Sequence, residues 1–386
     1  MESVDCLIVG GGVIGLSLAW QLAERGRKVR LIDRQAVGRE ASWAGAGILP
    51  PANQHALAHA YDQLRGLSFD LHREWAEMLS ERTGIDTGYR RCGGIYLARA
   101  AGEAAALSAW AAGLVEEGVA VERLQIGNPE FEIANLRSQI SNLKSLSQLE
   151  PGLTCEPSFR AAWFLPDECQ LRNPRHLQAL VRICELSGVE ITANCEVIDW
   201  ELAGDRVLGV VTCQGTIRAE QVCVTSGAWS GGLLQKLGIT LGVIPVRGQM
   251  VLFRTERPIA RSVINEGPRY LVPRDDGRLL AGATEEEVGF DKGTTEVAIR
   301  DLIEFATSLL PALKNAEIER TWAGLRPASF DGFPYLGQVP GVSNAFVAAG
   351  HFRSGLYLSP GTAVVMAEQM CGDKTSLELA PFRVGR

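Results

Sequence analysis

Cys6-Leu7-Ile8-Val9-Gly10-Gly11-Gly12-Val13-Ile14-Gly15 is the stretch that decides the fold. Four apolar residues run straight into three glycines, and the pattern from Leu16 to Arg25 is then that of a helix. The order is strand, tight turn, helix. Gly10 supplies the turn, Gly12 lets a pyrophosphate approach the backbone, and Gly15 lets the helix pack closely on the strand. Free N–H groups at the helix start attract negative charge. A second strand, Lys28 to Ile32, delivers Asp33 about twenty residues past the glycines, where a Rossmann unit carries the carboxylate that bonds a ribose hydroxyl. These features in register predict an adenine-dinucleotide site. NAD and FAD share the half that such a motif reads.

The 386 residues, 46% hydrophobic with 42 glycines, are enough for a large core and two domains. A net charge of −7 with scattered basic residues argues against a nucleic-acid or anionic-membrane surface. No apolar run reaches the roughly 18 residues of a spanning helix. The N-terminus has no basic flank or cleavage site and is already committed to the first strand, so a cytoplasmic protein is expected. Nine cysteines, at 6, 92, 155, 169, 184, 195, 213, 223 and 371, include no C-x-x-C pair and read as reduced thiols. Five histidines form no ligand triad, so no metal is expected. His55 and His59, one helical turn apart, read as packing or surface residues.

Beyond Asp33 and Arg34, the run from Arg39 to Pro51 (Glu40, Ala41, Ser42, Ala46, Gly47 and Ile48 among it) is rich in small side chains. A flat ring could lie against such a backbone. Helical spacing follows over Gly66 to Thr83, a strand over Gly94 to Ala98 and a helix over Ala101 to Glu117. Residues 124–150 are polar and read as loop-rich. Asn173 as N-cap with Pro174 behind it starts a helix that stops at Gly188. Glu190 to Trp200 reads as one strand, Arg206 to Cys213 as its hairpin partner, and Val222 to Thr225 as a strand entering Ser226-Gly227-Ala228-Trp229-Ser230. That small-residue turn, with Gly227 and Trp229, is a second candidate to close over the cofactor.

From Val243 the pattern changes to long alternating strands: Val243 to Arg254, Arg269 to Pro273 and Arg278 to Thr284. They suit an antiparallel sheet with helices on one side. A helix over Thr295 to Leu310 follows. The chain returns through Trp322-Ala323-Gly324-Leu325-Arg326-Pro327 and a strand, Ala345 to Ala349. That strand enters His351-Phe352-Arg353-Ser354-Gly355-Leu356-Tyr357 before a last helix at Ser359-Pro360. A structural complement arriving at the far end of the chain favours FAD over NAD, because NAD folds place two mononucleotide halves in sequence. A helix start behind glycines would stabilise negative charge on a reduced flavin.

Gly10 to Gly15, Glu40 to Gly47, Trp322 to Pro327 and Gly350 to Gly355, in this order, resemble the D-amino-acid oxidase superfamily. Within it, the chain is most similar to the glycine oxidases of thiamine biosynthesis. The resemblance covers nearly the whole chain. It implies an α/β fold with a discontinuous Rossmann-like FAD-binding domain and a substrate domain built on a large antiparallel sheet. We expect the first in residues 1–85, 150–225 and 325–386, and the second in 86–149 and 226–324. It also implies Val13 and Ile14 on the ADP phosphates, Asp33 and Arg34 on the ribose side, and Glu40 and Ala41 along the pyrophosphate. Ala46, Gly47 and Ile48 would line the flavin, Val197 would hold the adenine, and His351 to Tyr357 would wrap the ring. Arg326 resembles the receiver of the substrate carboxylate, with Arg353 near it and Tyr270 offering a hydroxyl. A guanidinium fork suits that task, because two parallel charge-assisted bonds fix orientation as well as position.

The implied reaction moves a hydride from the substrate α-carbon to flavin N5. The resulting imino acid hydrolyses, and O₂ reoxidises the cofactor to give hydrogen peroxide. No side-chain base is required if the amine is neutral. A dehydrogenase passing electrons to a quinone or carrier, a sarcosine or D-amino-acid oxidase, and a non-catalytic flavin protein are the alternatives. Glu285 stands where related enzymes tend to carry an apolar pocket residue; it either faces the substrate or points to solvent. Sarcosine oxidases attach FAD to a cysteine near the C-terminal flavin loop. Residues 322–358 contain none, so the FAD is expected to be non-covalent. A homo-oligomer is implied by resemblance alone.

Overall fold

The computed structural model describes residues 3–53, 55, 59–126, 144–154 and 159–386. Strand β1 (Val4–Val9), helix α1 (Val13–Glu24) and strand β2 (Val29–Ile32) form as the opening sequence dictates. β1 pairs in parallel with β2 on one side and with the far half of strand Gly215–Val224 on the other. Ala345–Ala349 then adds in parallel beside Gly215–Val224, and Tyr335–Gln338 closes that edge antiparallel. Glu190–Thr192 pairs with β2 at the opposite edge. The two ends of the chain therefore meet in one sheet.

Both faces of this sheet are buried, as parallel sheets require. Cys6 and Ile8 pack under α1 and the C-terminal helix Ser359–Cys371, whereas Leu7 and Val9 pack into a second core with Val224, Leu234 and Val347. The alternation along one strand feeds two cores.

The second sheet has eight strands, with Glu317–Ser329 and Val243–Arg254 paired over almost their whole length at one edge. Leu302, Phe305 and Leu309 of helix Glu296–Leu309 cover one face together with Val251, Phe253, Ile264 and Leu271. The residues between these, Tyr96, Met250, Asn265 and Tyr270, turn to the other face. One pairing breaks the expected antiparallel rule: Val263–Glu266 lies parallel to Gly94–Ala98.

Local expectations fail where tertiary contacts take over. Glu190 to Trp200 is two strands, Glu190–Thr192 and Val197–Ala203, with Asn194 at φ 55° between them. Asn tolerates that left-handed conformation, which redirects the chain out of the parallel sheet into a hairpin. Asn173 does not cap its helix, which runs Asn173–Leu186 behind Arg172. Its amide instead donates to the Ser42 carbonyl at 2.7 Å. The long helix starts earlier than its apolar spacing, at Ala60. Of the polar stretch 124–150, residues 127–143 lie outside the described residues, and Leu146–Leu149 forms a short helix. Cys155 is also outside; the described cysteines are all free. No helix among the described residues is long and apolar enough to cross a membrane.

Candidate active site

The glycine turn works by leaving no room. Gly10 has φ 117°, and a Cβ there would stand 2.7 Å from the Thr225 carbonyl carbon. At Gly15 a Cβ would stand 1.9 Å from the Gly10 oxygen, so this glycine brings α1 against the strand ends rather than lining the cavity. Asp33 accepts from Gly11 N at 2.7 Å and from Gln35 N at 2.9 Å. Burial raises its pKa against these bonds. The acid thus holds the turn while lying on the cavity wall.

A cavity of about 740 Å³ runs from this turn, between the sheets, to Arg326. Its dinucleotide end is bordered by Gly12, Val13, Ile14, Arg34, Glu40, Ala41, Val197, Gly227 and Trp229. The Val13 N–H donates to Ser42 Oγ at 2.9 Å, which leaves the Ser42 proton free to donate to an anion at the helix start. Glu40 accepts from Gln35 Nε2, meets Arg34 at 3.3 Å and meets Lys292 at 2.9 Å. The Arg34 guanidinium lies 3.8 Å from the Trp229 ring centre. α1 carries no acid in its first turn, and Asn173 on the wall keeps Oδ1 without a protein partner. A phosphate-bearing dinucleotide fits this end: charge-compatible, unobstructed by side chains and supplied with spare polar atoms.

The middle of the cavity is shaped by Ala46, Gly47 and Ile48 from one side and by His351 to Tyr357 from the other. Arg274, buried at 6% exposure, donates to the Ala46 carbonyl at 2.7 Å, to Leu171 O at 2.9 Å and to Gln170 Oε1 at 2.6 Å. His351 meets Thr362 Oγ1 at 3.1 Å, and burial pushes its pKa down to about 3, so the ring is neutral at ordinary pH. Tyr357 donates to the Arg65 carbonyl at 3.1 Å, and its own carbonyl receives His72 Nε2 at 2.9 Å. The C-terminal segment is therefore fixed from beneath.

At the far end stand Arg326 and Tyr270. Arg326 donates to the Thr284 carbonyl at 2.9 Å, and the Tyr270 hydroxyl lies 3.5 Å from Met250 sulfur. Arg353 also borders the cavity but leans outward, donating to Pro268 O at 3.1 Å and standing 3.6 Å from Glu285. Glu285 is outside the lining and half-exposed beside Arg353, in the solvent-facing one of the two positions open to it. A flanking arginine and open water offer the carboxylate what an apolar pocket denies it. Among the described residues no group of acids, histidines or cysteines could hold a metal. Cys371 ends the last helix and is not in the lining.

Arg65, Tyr96, Trp110, Gly248, Met250 and Asn265, together with Asn173, which the sequence offers only as a helix cap, border the cavity without having been read from the sequence as site residues. The register Tyr96↔Asn265↔Tyr270 aligns two of them, Tyr96 and Asn265, with Tyr270, and strand pairing across such separations leaves no local pattern.

Residues 5–369 match the model of the FAD dependent oxidoreductase (DAO) family. The chain is 35% identical to a glycine oxidase of Pseudomonas putida, over 98% of each chain. It is 36% identical to a glycine oxidase of Pseudomonas aeruginosa, over 97% of each. The crystal structure of glycine oxidase from Geobacillus kaustophilus superposes with a TM-score of 0.90 at 32% identity, covering 100% of this chain and 99% of that one. A cavity that begins at a dinucleotide turn and ends at a guanidinium is thus found on a shared fold, and the chain belongs to the FAD dependent oxidoreductase (DAO) family.

Proposed function

We propose that the chain is an FAD-dependent oxidase that takes a hydride from the α-carbon of glycine or a similarly small amino acid. The products are an imine, then oxo acid and ammonia, and hydrogen peroxide from O₂. The observation that carries this reading is that Arg326 and Tyr270 border the same cavity as the glycine turn, at its opposite end. The FAD supplies a two-electron acceptor that O₂ can regenerate.

Arg326 would take the substrate carboxylate in its fork and Tyr270 would add a hydroxyl, leaving the α-carbon facing the middle of the cavity. Ala46 to Ile48 and His351 to Tyr357 would hold the flavin ring, while Gly10 to Ile14, Asp33, Arg34, Glu40 to Ser42, Val197, Gly227 and Trp229 would hold the dinucleotide. The acids on the wall, Asp33, Glu40 and Glu196, border the dinucleotide end, and His351 is neutral with its Nε2 engaged. No described side chain at the Arg326 end is placed to remove an ammonium proton. The substrate must therefore arrive with a neutral amine, and kcat/KM rises with pH until that amine is deprotonated.

We also propose a cytoplasmic location and, on family resemblance alone, a homo-oligomer. In the central experiment, holoenzyme is mixed anaerobically with glycine, sarcosine and small D-amino acids, then exposed to air. Flavin bleaching followed by stoichiometric peroxide is expected. Bleaching by none of them overturns the substrate class, and bleaching without reoxidation in air points to a carrier as acceptor.

A further inference from the structure

We infer that Gly248 is a positioning residue for the substrate carboxylate, because its missing side chain lets the Arg326 guanidinium lie flat on the sheet. The inference rests on reading Arg326 as the carboxylate anchor.

Gly248 pairs with Gly324, and Val246 pairs with Arg326, in the long antiparallel pair Val243–Arg254 and Glu317–Ser329. Arg326 and Gly248 are thus diagonal neighbours on one face. A Cβ built on Gly248 would stand 2.2 Å from Nη2, 2.3 Å from Nη1 and 2.4 Å from Cζ of Arg326. All three distances are nearly equal, so the plane of the fork rests on the position a side chain would fill. The strand does not need glycine for its backbone, since Gly248 is not among the left-handed glycines. Space for the fork is what the residue provides.

The Thr284 carbonyl fixes the fork from one side at 2.9 Å, so its level above the strand and its rotation are both set before a ligand arrives. An alanine at 248 would lift the fork by an ångström or more, away from Thr284 and into the space a carboxylate would use. The guanidinium ends a flexible side chain, so it yields while the fold stays intact. A displacement of about 1 Å at an orienting group can cost on the order of 100-fold in turnover.

The test titrates holoenzyme with acetate, which has a carboxylate and no amine, and follows the flavin absorbance. Gly248→Ala is expected to raise the acetate Kd at least tenfold and to raise KM for glycine, with flavin content and Tm unchanged. In an Arg326→Lys background the same change is expected to alter acetate Kd less than twofold, because lysine has no fork to lift. Unchanged acetate binding in Gly248→Ala overturns the proposal. So does an equal loss in the lysine background, or failure of Gly248→Ala to fold or hold flavin. A wild-type protein that binds acetate but is bleached by no amino acid would overturn the substrate reading and leave this one standing.

Discussion

Arg326 and Arg274 are guanidiniums with different work. Two charge-assisted bonds to a carboxylate are each worth roughly 1.5–3 kcal/mol, so Arg326→Ala should lower kcat/KM for glycine by about two to four orders of magnitude. Steady-state peroxide assays with flavin content as control check this. Arg274 spends its fork on the Ala46 and Leu171 carbonyls and on Gln170, and burial with Arg172 and Arg90 nearby pulls its pKa down to about 9. An Arg274→Met change strands buried carbonyl groups at roughly 1–3 kcal/mol each and loosens the small-residue loop. We expect weaker flavin retention and a lower Tm, read by flavin fluorescence during thermal melting. Glu285→Leu, at a rim position outside the cavity wall, should leave the ranking of amine substrates unchanged. A new preference for apolar amines in a bleaching panel would place Glu285 at the substrate after all.

Between strand Arg278–Gly282 and helix Glu296–Leu309 the chain reaches from the second sheet back toward the dinucleotide end. Arg247 anchors it through Glu286, Asp291 and the Gly293 carbonyl, Phe290 stacks on Trp229 at 5.3 Å, and Lys292 meets Glu40 at 2.9 Å. Phe290 is 53% exposed, and the Lys292 pair is partly solvated, which keeps the ion pair itself below about 1 kcal/mol. The stacking contact then dominates. Phe290→Ala should weaken FAD binding more than Lys292→Ala does, measured as flavin Kd by fluorescence quenching of the apoprotein. This connection was not legible in the sequence, because its contacts to Arg247, Trp229 and Glu40 join residues far apart along the chain. The glycine turn, Asp33 and the returning strand were legible, because a phosphate site needs glycines at fixed spacing and a parallel sheet needs continuous apolar strands. Gly248 and Arg65 were not. One depends on a diagonal contact across paired strands, and the other looks like an ordinary charge on the helix Ala60–Thr83. Asn173 misled for a related reason: its position suits a cap, yet its amide is recruited by the Ser42 carbonyl from a distant loop.

At the scale of the molecule, the C-terminal strand and helix close the site that the first fifteen residues open, so cofactor binding and folding are coupled through the same core. Buried histidines lie under that closure. Burial lowers the pKa of His72 to about 4 and those of His176 and His351 to about 3, from an ordinary 6.5. Each is neutral in the folded chain and takes up a proton when unfolded. Their contribution is therefore complete above pH 6.5 and is lost as pH falls toward 3 to 4. Glu168 acts in the opposite sense: burial raises its pKa to about 7, so the folded chain binds its proton first and gains stability as pH falls from 7 toward 4.5. At pH 5 each histidine costs roughly 2 kcal/mol and Glu168 returns roughly 2, for a net loss of about 4 kcal/mol relative to pH 7.5. That is a large part of a typical stability of about 5–15 kcal/mol. Thermal unfolding of the holoenzyme should therefore shift down by several degrees between pH 7.5 and 5, with flavin released in the same transition. In His176→Asn or His351→Asn the shift should shrink, because one proton-linked group has been removed. An equal shift in both variants would mean that the acid sensitivity arises elsewhere.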